Sequence, residues 1–321
     1  MSKRIIGWGL LGVAFVVAIV TLWLHRYDIY DWAQLRSYQP STTIASLATD
    51  SGMNDYGRRL FYVNRPEVSD RDQFNSECTT AEQTIVLGCY TGTNIYIFKV
   101  DDAKLEGVEE VTAAHEMLHA AYQRLSKSEK ARIDDLVEAA YKRVNDPHLT
   151  EIVASYKKTE PGQELNELHS ILGTEYSNLG PELEAYYTKY FSDRGKVVTL
   201  ANKYKKVFED IQNQVNSYDA DLALRKAEIN KQEEDLSTKA AQLAAQKAQL
   251  VALQNSGQTA AYNAQVNAYN SQVAAYNNQI ASTKKLIDEY NAIVIKRNVL
   301  TVQQQNLAQS LDSRVNPIGN N

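Results

Sequence analysis

The stretch EVTAAHEMLHAAYQRL, residues 110–125, determines how the rest of this sequence is interpreted. Its apolar residues recur at intervals of three and four, as they do along the buried side of an α-helix. These residues are Val111, Ala114, Leu118, Tyr122 and Leu125. The spacing therefore predicts a helix with one side packed in a hydrophobic core.

The same helix carries an HExxH motif, formed by His115, Glu116 and His119. Side chains four residues apart lie on one side of a helix, so both imidazoles can approach a single tetrahedral zinc ion. Glu116 lies about 100° around the helix from His115, where its carboxylate can reach a zinc-activated water without being a ligand. Such a water has a pKa near neutrality, and Glu116 would accept its proton during attack on a carbonyl carbon. The alternatives are two core histidines with other partners, or a metal site without activity.

A zinc enzyme needs a third protein ligand, and the segment EPGQELNELHSILGTEY, residues 160–176, offers two candidates. Its leucines and Tyr176 form an apolar stripe typical of a helix that packs on a core. Glu167 points away from this stripe, as a ligand facing a cleft would, whereas His169 lies nearer to it. The periodicity favours Glu167 and leaves His169 open.

The two segments HEMLH and LNELHSILG together resemble the gluzincin branch of zinc metallopeptidases, the thermolysin-like group. In that group a second helix supplies a glutamate ligand from an Asn-Glu pair, here Asn166 and Glu167. The resemblance implies a small α+β zincin-like domain, a Zn2+ cofactor and a peptide or protein substrate. It implies that His169 or a nearby tyrosine donates to the oxyanion. The implied site consists of the ligands His115, His119 and Glu167 and the catalytic residues Glu116 and His169.

The resemblance extends to uncharacterised bacterial membrane-anchored proteins with this motif, and it has two further consequences. The aspartate that normally orients a ligand histidine is missing, which leaves Ser170, Glu164, Glu175 or Thr174 for that role. An edge strand beside the motif helix binds the substrate backbone in such enzymes, and TNIYIFKV, residues 93–100, is the candidate. The alternative is that this strand lies inside a small sheet.

The N-terminal run IIGWGLLGVAFVVAIVTLWL, residues 5–24, contains no charge over the length that a membrane-spanning helix requires. It predicts an uncleaved transmembrane anchor within residues 1–27, which contacts membrane lipid. The short N-terminal tail favours a single-pass protein of the cell membrane with its body on the extracytoplasmic side.

Cys78 and Cys89 are the two cysteines of the chain, and they flank a short segment between extended stretches. A disulfide between them would close a hairpin-like loop and would suit an exported domain. The alternative is two free, buried cysteines in a cytoplasmic protein.

The C-terminal third is rich in Ala, Gln, Asn and Lys and has apolar residues at intervals of seven. Ser256 and Gly257 separate two heptad arms of matched length, which predicts an antiparallel coiled-coil hairpin over residues 194–311 with its turn near 255–258. One long helix in a parallel oligomer is the alternative. The heptad residues are Phe208, Val215, Leu222, Ile229, Leu236, Leu243 and Leu250 in the first arm, and Val266, Val273, Ile280, Ile287 and Val294 in the second.

The sequence thus predicts a mainly α protein with an N-terminal transmembrane helix, a zincin-like domain over residues 28–193, the hairpin, and a disordered tail over residues 312–321. The 321 residues are 44% hydrophobic and 23% charged with a net charge of −5, which argues against a nucleic-acid partner. The predicted function is a membrane-anchored zinc metallopeptidase. The alternative is a non-catalytic coiled-coil scaffold with a structural or degenerate zinc module, which binds a protein partner or self-associates through the hairpin.

Overall fold

The computed structural model describes residues 15–78 and 86–314, which are mainly helical. The chain forms two compact units, one made of the residues up to 207 together with those from 307 onward, and one made of Phe208–Asn306. The helices are α1 (15–24), α2 (Arg26–Leu35), α3 (Thr42–Asp50), α4 (Asp55–Val63), α5 (Arg71–Glu77), α6 (Val108–Gln123), α7 (Lys127–Val144), α8 (Pro147–Thr159), α9 (Glu164–Glu175), α10 (Pro181–Tyr187), α11 (Arg194–Asn255) and α12 (Thr259–Leu311).

The predicted transmembrane anchor is wrong. Of the residues that the structure describes, none belongs to a helix that is both long and apolar enough to cross a membrane. Residues 1–14 of the predicted anchor lie outside the described residues. The predicted location in the cell membrane depended on this anchor, so that prediction is wrong as well.

A small sheet provides the framework for the site in the first unit. Strands β1 (Glu67–Ser69), β2 (Gly88–Tyr90) and β3 (Ile95–Phe98) are arranged in the order β1-β3-β2. Strand β1 is parallel to β3, and β2 is antiparallel to it with Gly88 opposite Ile97. One side of β3, with Ile95 and Ile97, lies in the main core together with apolar residues of α6 and α9.

Helices α6 and α9 lie side by side in this main core because each buries an apolar stripe of the predicted kind. The buried residues include Val111, Ala114 and Leu118 from α6 and Leu168, Ile171 and Leu172 from α9. Gly173 permits the close approach, since a Cβ atom at this position would lie 2.4 Å from Leu118 Cδ1. The packing therefore brings the HExxH helix and the Asn-Glu helix together.

The second unit is a hairpin of α11 and α12. Gly257, with a φ of 72°, provides the left-handed residue at the turn between them. Polar side chains pair across the two helices, and residue numbers fall on α12 as they rise on α11, so the helices are antiparallel. The pairs are Gln212–Gln304, Asp219–Arg297, Arg225–Glu289 and Lys239–Gln279.

The ends of the two long helices belong to the first unit. Val197, Val198 and Ala201 at the start of α11 lie in the main core. After α12, Asp312 and Ser313 are only 4% and 3% exposed. The first residues of the predicted disordered tail are therefore packed, while residues 315–321 lie outside the described range.

Candidate metal centre

Two histidines of α6 and one glutamate of α9 converge in the first unit. His119 Nε2 lies 3.0 Å from His115 Nε2, and the two nitrogens lie 3.3 and 3.4 Å from the Glu167 carboxylate oxygens Oε1 and Oε2. Ligand atoms about 2.0–2.1 Å from a tetrahedral zinc ion are about 3.3 Å apart. The three side chains are thus spaced as the ligands of one such ion would be.

The hydrogen bonds of α9 fix the orientation of His119. Its Nδ1 lies 3.0 Å from Asn166 Oδ1 and 3.3 Å from Ser170 Oγ. Asn166 Nδ2 donates to Gln163 Oε1, so Oδ1 is the amide oxygen and Nδ1 of His119 must donate to it. The His119 Nε2 lone pair is then directed at the ligand group, as metal binding requires.

Asn166, the residue just before Glu167, is therefore the main hydrogen-bond partner of His119 Nδ1. Of the residues considered for orienting a ligand histidine, only Ser170 contacts His119 in the described structure. Glu164 accepts a hydrogen bond from the Gly162 amide, Glu175 pairs with Lys205, and Thr174 donates to the Ser170 carbonyl.

Glu167 has the properties of an unsatisfied anionic ligand. Its Oε2 atom is buried and has no hydrogen-bond partner among the described residues. Burial alone would raise the pKa of its carboxyl group, but His119 and His115, together with the Tyr156 hydroxyl, lower the pKa below its usual value. A buried anion without a full set of hydrogen bonds is costly, and a bound cation would remove this cost.

Glu116 adjoins the ligands from the strand side. One of its carboxylate oxygens and one nitrogen of each imidazole lie within 4.8 Å of one another. Its side chain packs against β2, where a Cβ atom at Gly88 would lie 2.7 Å from Glu116 Oε1 and 2.5 Å from Thr112 Cγ2. Only glycine at position 88 leaves room for the carboxylate in this place.

The strand beside the motif helix is β2, whereas the sequence pointed to β3. Strand β3 lies between β1 and β2, so it is interior, and β1 and β2 are the two edge strands among those described. Leu87 and Thr91 hydrogen-bond to β3 through Phe98 and Asn94. Because alternate residues of an antiparallel strand face opposite sides, the backbone groups of Gly88 and Tyr90 point away from β3.

The cleft between β2 and the ligands has a volume of about 300 Å³ and includes Tyr156 of α8. A second cavity of about 230 Å³ adjoins it, with Gly88, His115, Glu116 and Tyr156 contributing to both. Its remaining walls are largely apolar and include Val111, Ile152, Ile171 and Tyr204. Sequence reasoning identified neither Tyr156 nor Gly88, since no local motif marks them.

His169 lies away from the ligands, in a cluster of tyrosines. It is fully buried, its Nε2 hydrogen-bonds to Tyr186 Oη at 2.9 Å, and its ring contacts Tyr122 and Tyr187. Burial lowers its pKa to about 3, so the ring is neutral. The structure brings together His115, Glu116, His119 and Glu167, and it places His169 outside their cleft.

Cys78 and Cys89 are joined in a disulfide, with their Cα atoms 5.9 Å apart. Cys78 caps the end of α5, and Cys89 is the central residue of β2. The bond thereby ties the edge strand to α5.

Comparison with known proteins does not assign this chain to a group. No protein-family model, curated protein or solved structure matches it.

Proposed function

We propose that this protein is a zinc-dependent peptidase of the gluzincin type, with His115, His119 and Glu167 as the zinc ligands. The observation that carries the proposal is the spacing of 3.0, 3.3 and 3.4 Å between the two Nε2 atoms and the Glu167 carboxylate. Two imidazoles and a carboxylate are a common donor set of catalytic zinc sites. His169 is excluded from our ligand set because its Nε2 is bound to Tyr186.

Two carboxylates lie near the histidines, and we assign them different roles. Glu167 is the ligand, because its oxygens are at ligand spacing from both Nε2 atoms and one of them lacks a hydrogen-bond partner in the described structure. Glu116 is the general base, because it is held against Gly88 beside the cleft. A bound zinc ion would supply the Lewis acidity that polarises a carbonyl group and acidifies a water.

In this proposal, side chains catalyse the hydrolysis and the edge strand β2 binds the substrate backbone. Glu116 accepts the proton of the attacking water and returns it to the amine nitrogen as the peptide bond breaks. The outward backbone groups of Gly88 and Tyr90 hold an extended substrate by main-chain hydrogen bonds. Tyr156, which lines the cleft, is placed to donate to the oxyanion in the role first considered for His169. The adjoining apolar cavity accepts a substrate side chain.

Zinc content and hydrolysis, measured together, test this proposal. The purified chain is loaded with zinc, dialysed, examined by elemental analysis and incubated with a mixed peptide library read by mass spectrometry. The parent should hold one zinc ion and cleave peptides. Glu167→Ala should lose zinc, whereas Glu116→Gln should keep zinc and lose hydrolysis by about 10²-fold or more.

Glu164→Gln is the matched control, since this glutamate lies on α9 but bonds the Gly162 amide. It should keep both zinc and activity. A parent chain that binds no zinc, or a Glu116→Gln variant that cleaves as fast as the parent, would contradict the proposal.

The length of α11 and α12 favours a second candidate function, a scaffold that binds a protein partner or another copy through the hairpin. The two helices have 62 and 53 residues. In the scaffold case, affinity purification should recover the same partner with Glu116→Gln as with the parent, and neither should cleave peptides.

A further inference from the structure

Residues 86–90, which we call the strand wall of the cleft, rest on their own small apolar cluster. This cluster centres on Phe74, Cys78 and Phe98, and Val86, Leu87 and Cys89 pack against it. It is distinct from the main core that contains α6 and α9. Tyr90, at the other end of the strand wall, packs on the main core. The position of residues 86–89 therefore depends on the contacts that hold this small cluster in place.

One element that secures it comes from the far end of the chain. Residues 312–314, which follow α12 and which we call the clasp, pack on α5. Arg71 Nη2 donates to the Asp312 carbonyl at 2.9 Å, and Asn75 Nδ2 donates to the Ser313 carbonyl at 2.6 Å. Asp312 and Ser313 are buried, and Arg314 forms an ion pair with the Asp312 carboxylate.

The clasp also binds the strand wall directly. Ser313 Oγ donates to the Val86 carbonyl at 2.5 Å. Val86 contributes to both the cleft and the adjoining apolar cavity. Two residues later, Gly88 contacts Glu116. This hydrogen bond links the clasp to the segment that lines the cleft and contacts Glu116.

We propose that the clasp is a positioning element of the cleft: it holds the strand wall in its substrate-binding position, and loss of its contacts lets the wall loosen while the proposed zinc ligands stay in place. The inference rests on the proposed peptidase function for its effect on substrate, but the docking itself is independent of catalysis. The ligands are unaffected because α6 and α9 are held by the main core. Release therefore weakens substrate binding and leaves zinc binding intact.

The test removes the clasp contacts and follows the strand wall by hydrogen exchange. Ser313→Ala deletes the bond to Val86, and Asn75→Ala deletes the bond to Ser313. Each lost hydrogen bond should raise the exchange rate of the amides in residues 86–90 about fivefold, and the double variant more. Exchange in α6 and α9, as well as zinc content, should match the parent. The KM for peptide hydrolysis should rise more than kcat falls.

Ser76→Ala is the control, because this serine lies on α5 but donates to Gln73 within the helix. It should leave exchange unchanged. Parent-like exchange of residues 86–90 in the double variant overturns the proposal, and so does an equal rise throughout α6 and α9, which would indicate general destabilisation. If the parent hydrolyses no peptide, the proposed function fails, and the exchange measurement still decides whether the clasp holds the strand wall.

Discussion

The two sides of the cleft are held in place by different means. The helix wall, formed by α6 and α9 with the proposed zinc ligands, is part of the main core. Most of the strand wall packs on a small separate cluster, held by the Cys78–Cys89 disulfide and the clasp, and only Tyr90 of the wall packs on the main core. Core packing is dense and resists small displacements, whereas a wall secured by a few contacts can move locally. The difference indicates that the geometry of the proposed zinc ligands is rigid and that the proposed substrate-binding edge is adjustable.

The largest effect should come from disturbing the helix wall at Gly173. In Gly173→Ala, the added Cβ would lie 2.4 Å from Leu118 Cδ1 and 2.8 Å from Tyr187 Cε1. Alanine favours the helix by about 1 kcal/mol, but the overpacking should outweigh this. We expect a net loss of about 3 kcal/mol in the free energy of unfolding, measured by urea denaturation, with weaker zinc binding because α9 is displaced.

Gly195→Ala provides the matched control for this substitution. Gly195 is also helical, and a Cβ there would meet only the Asp193 carboxylate, at 3.0 Å. It should be neutral or slightly stabilising. If Gly173→Ala were equally harmless, α6 and α9 would not be in the rigid contact on which the comparison depends.

The next effect should come from the disulfide and should be confined to the strand wall. The bridged cysteines are 11 residues apart, and closing a loop of this size stabilises a fold by about 2–3 kcal/mol. Cys78→Ser combined with Cys89→Ser should lower stability by about this amount and leave zinc content unchanged. Calorimetry and elemental analysis measure the two quantities, and reduction of the parent is the control. Loss of zinc in the double variant would show that the two walls are not independent.

The parts of this architecture that the sequence predicted are those encoded locally. The spacing of His115 and His119 determines their common side of α6, and the heptads mark two long helices. Periodicity favoured Glu167 over His169 because their positions on α9 differ by two residues, which turns them to different sides of the helix, but it left His169 open. The choice of Glu167 rested on the resemblance of Asn166 and Glu167 to the gluzincin motif.

The parts that escaped prediction depend on contacts between distant segments. The roles of Gly88 and Tyr156 follow from packing, and the clasp depends on Ser313 meeting Val86 across 227 residues of sequence. The sequence left open whether β3 is an edge strand or an interior one, because strand order in a sheet is not a local property, and the structure shows that it is interior. The anchor was wrong because it was inferred from an apolar composition, whereas no helix among the described residues is long and apolar enough to cross a membrane.

Within the helix wall, Asn166→Ala should have a smaller effect, limited to the metal. It deletes the acceptor of His119 Nδ1 but no buried apolar surface. Loss of such an orienting bond typically weakens zinc binding about 10–100-fold, which competition with a chromophoric chelator can measure. Asn166→Asp retains an acceptor and should restore most of the affinity. Equal losses in both variants would mean that Asn166 does not act by orienting His119.

The smallest effect should come from Tyr90→Phe, at the point where the strand wall approaches the end of α6. The Tyr90 hydroxyl lies 2.8 Å from the Gly92 carbonyl and also contacts the Gln123 side-chain oxygen. Phenylalanine keeps the ring contact with the main core and loses only these hydrogen bonds. We expect a loss of about 1 kcal/mol in unfolding free energy, measured by urea denaturation, with unchanged zinc affinity.

A double-mutant cycle tests whether this contact couples the two walls. It adds Gln123→Ala to the parent and to Tyr90→Phe. A coupling well above 1 kcal/mol would show that this contact joins the two walls, whereas a small coupling supports their independence.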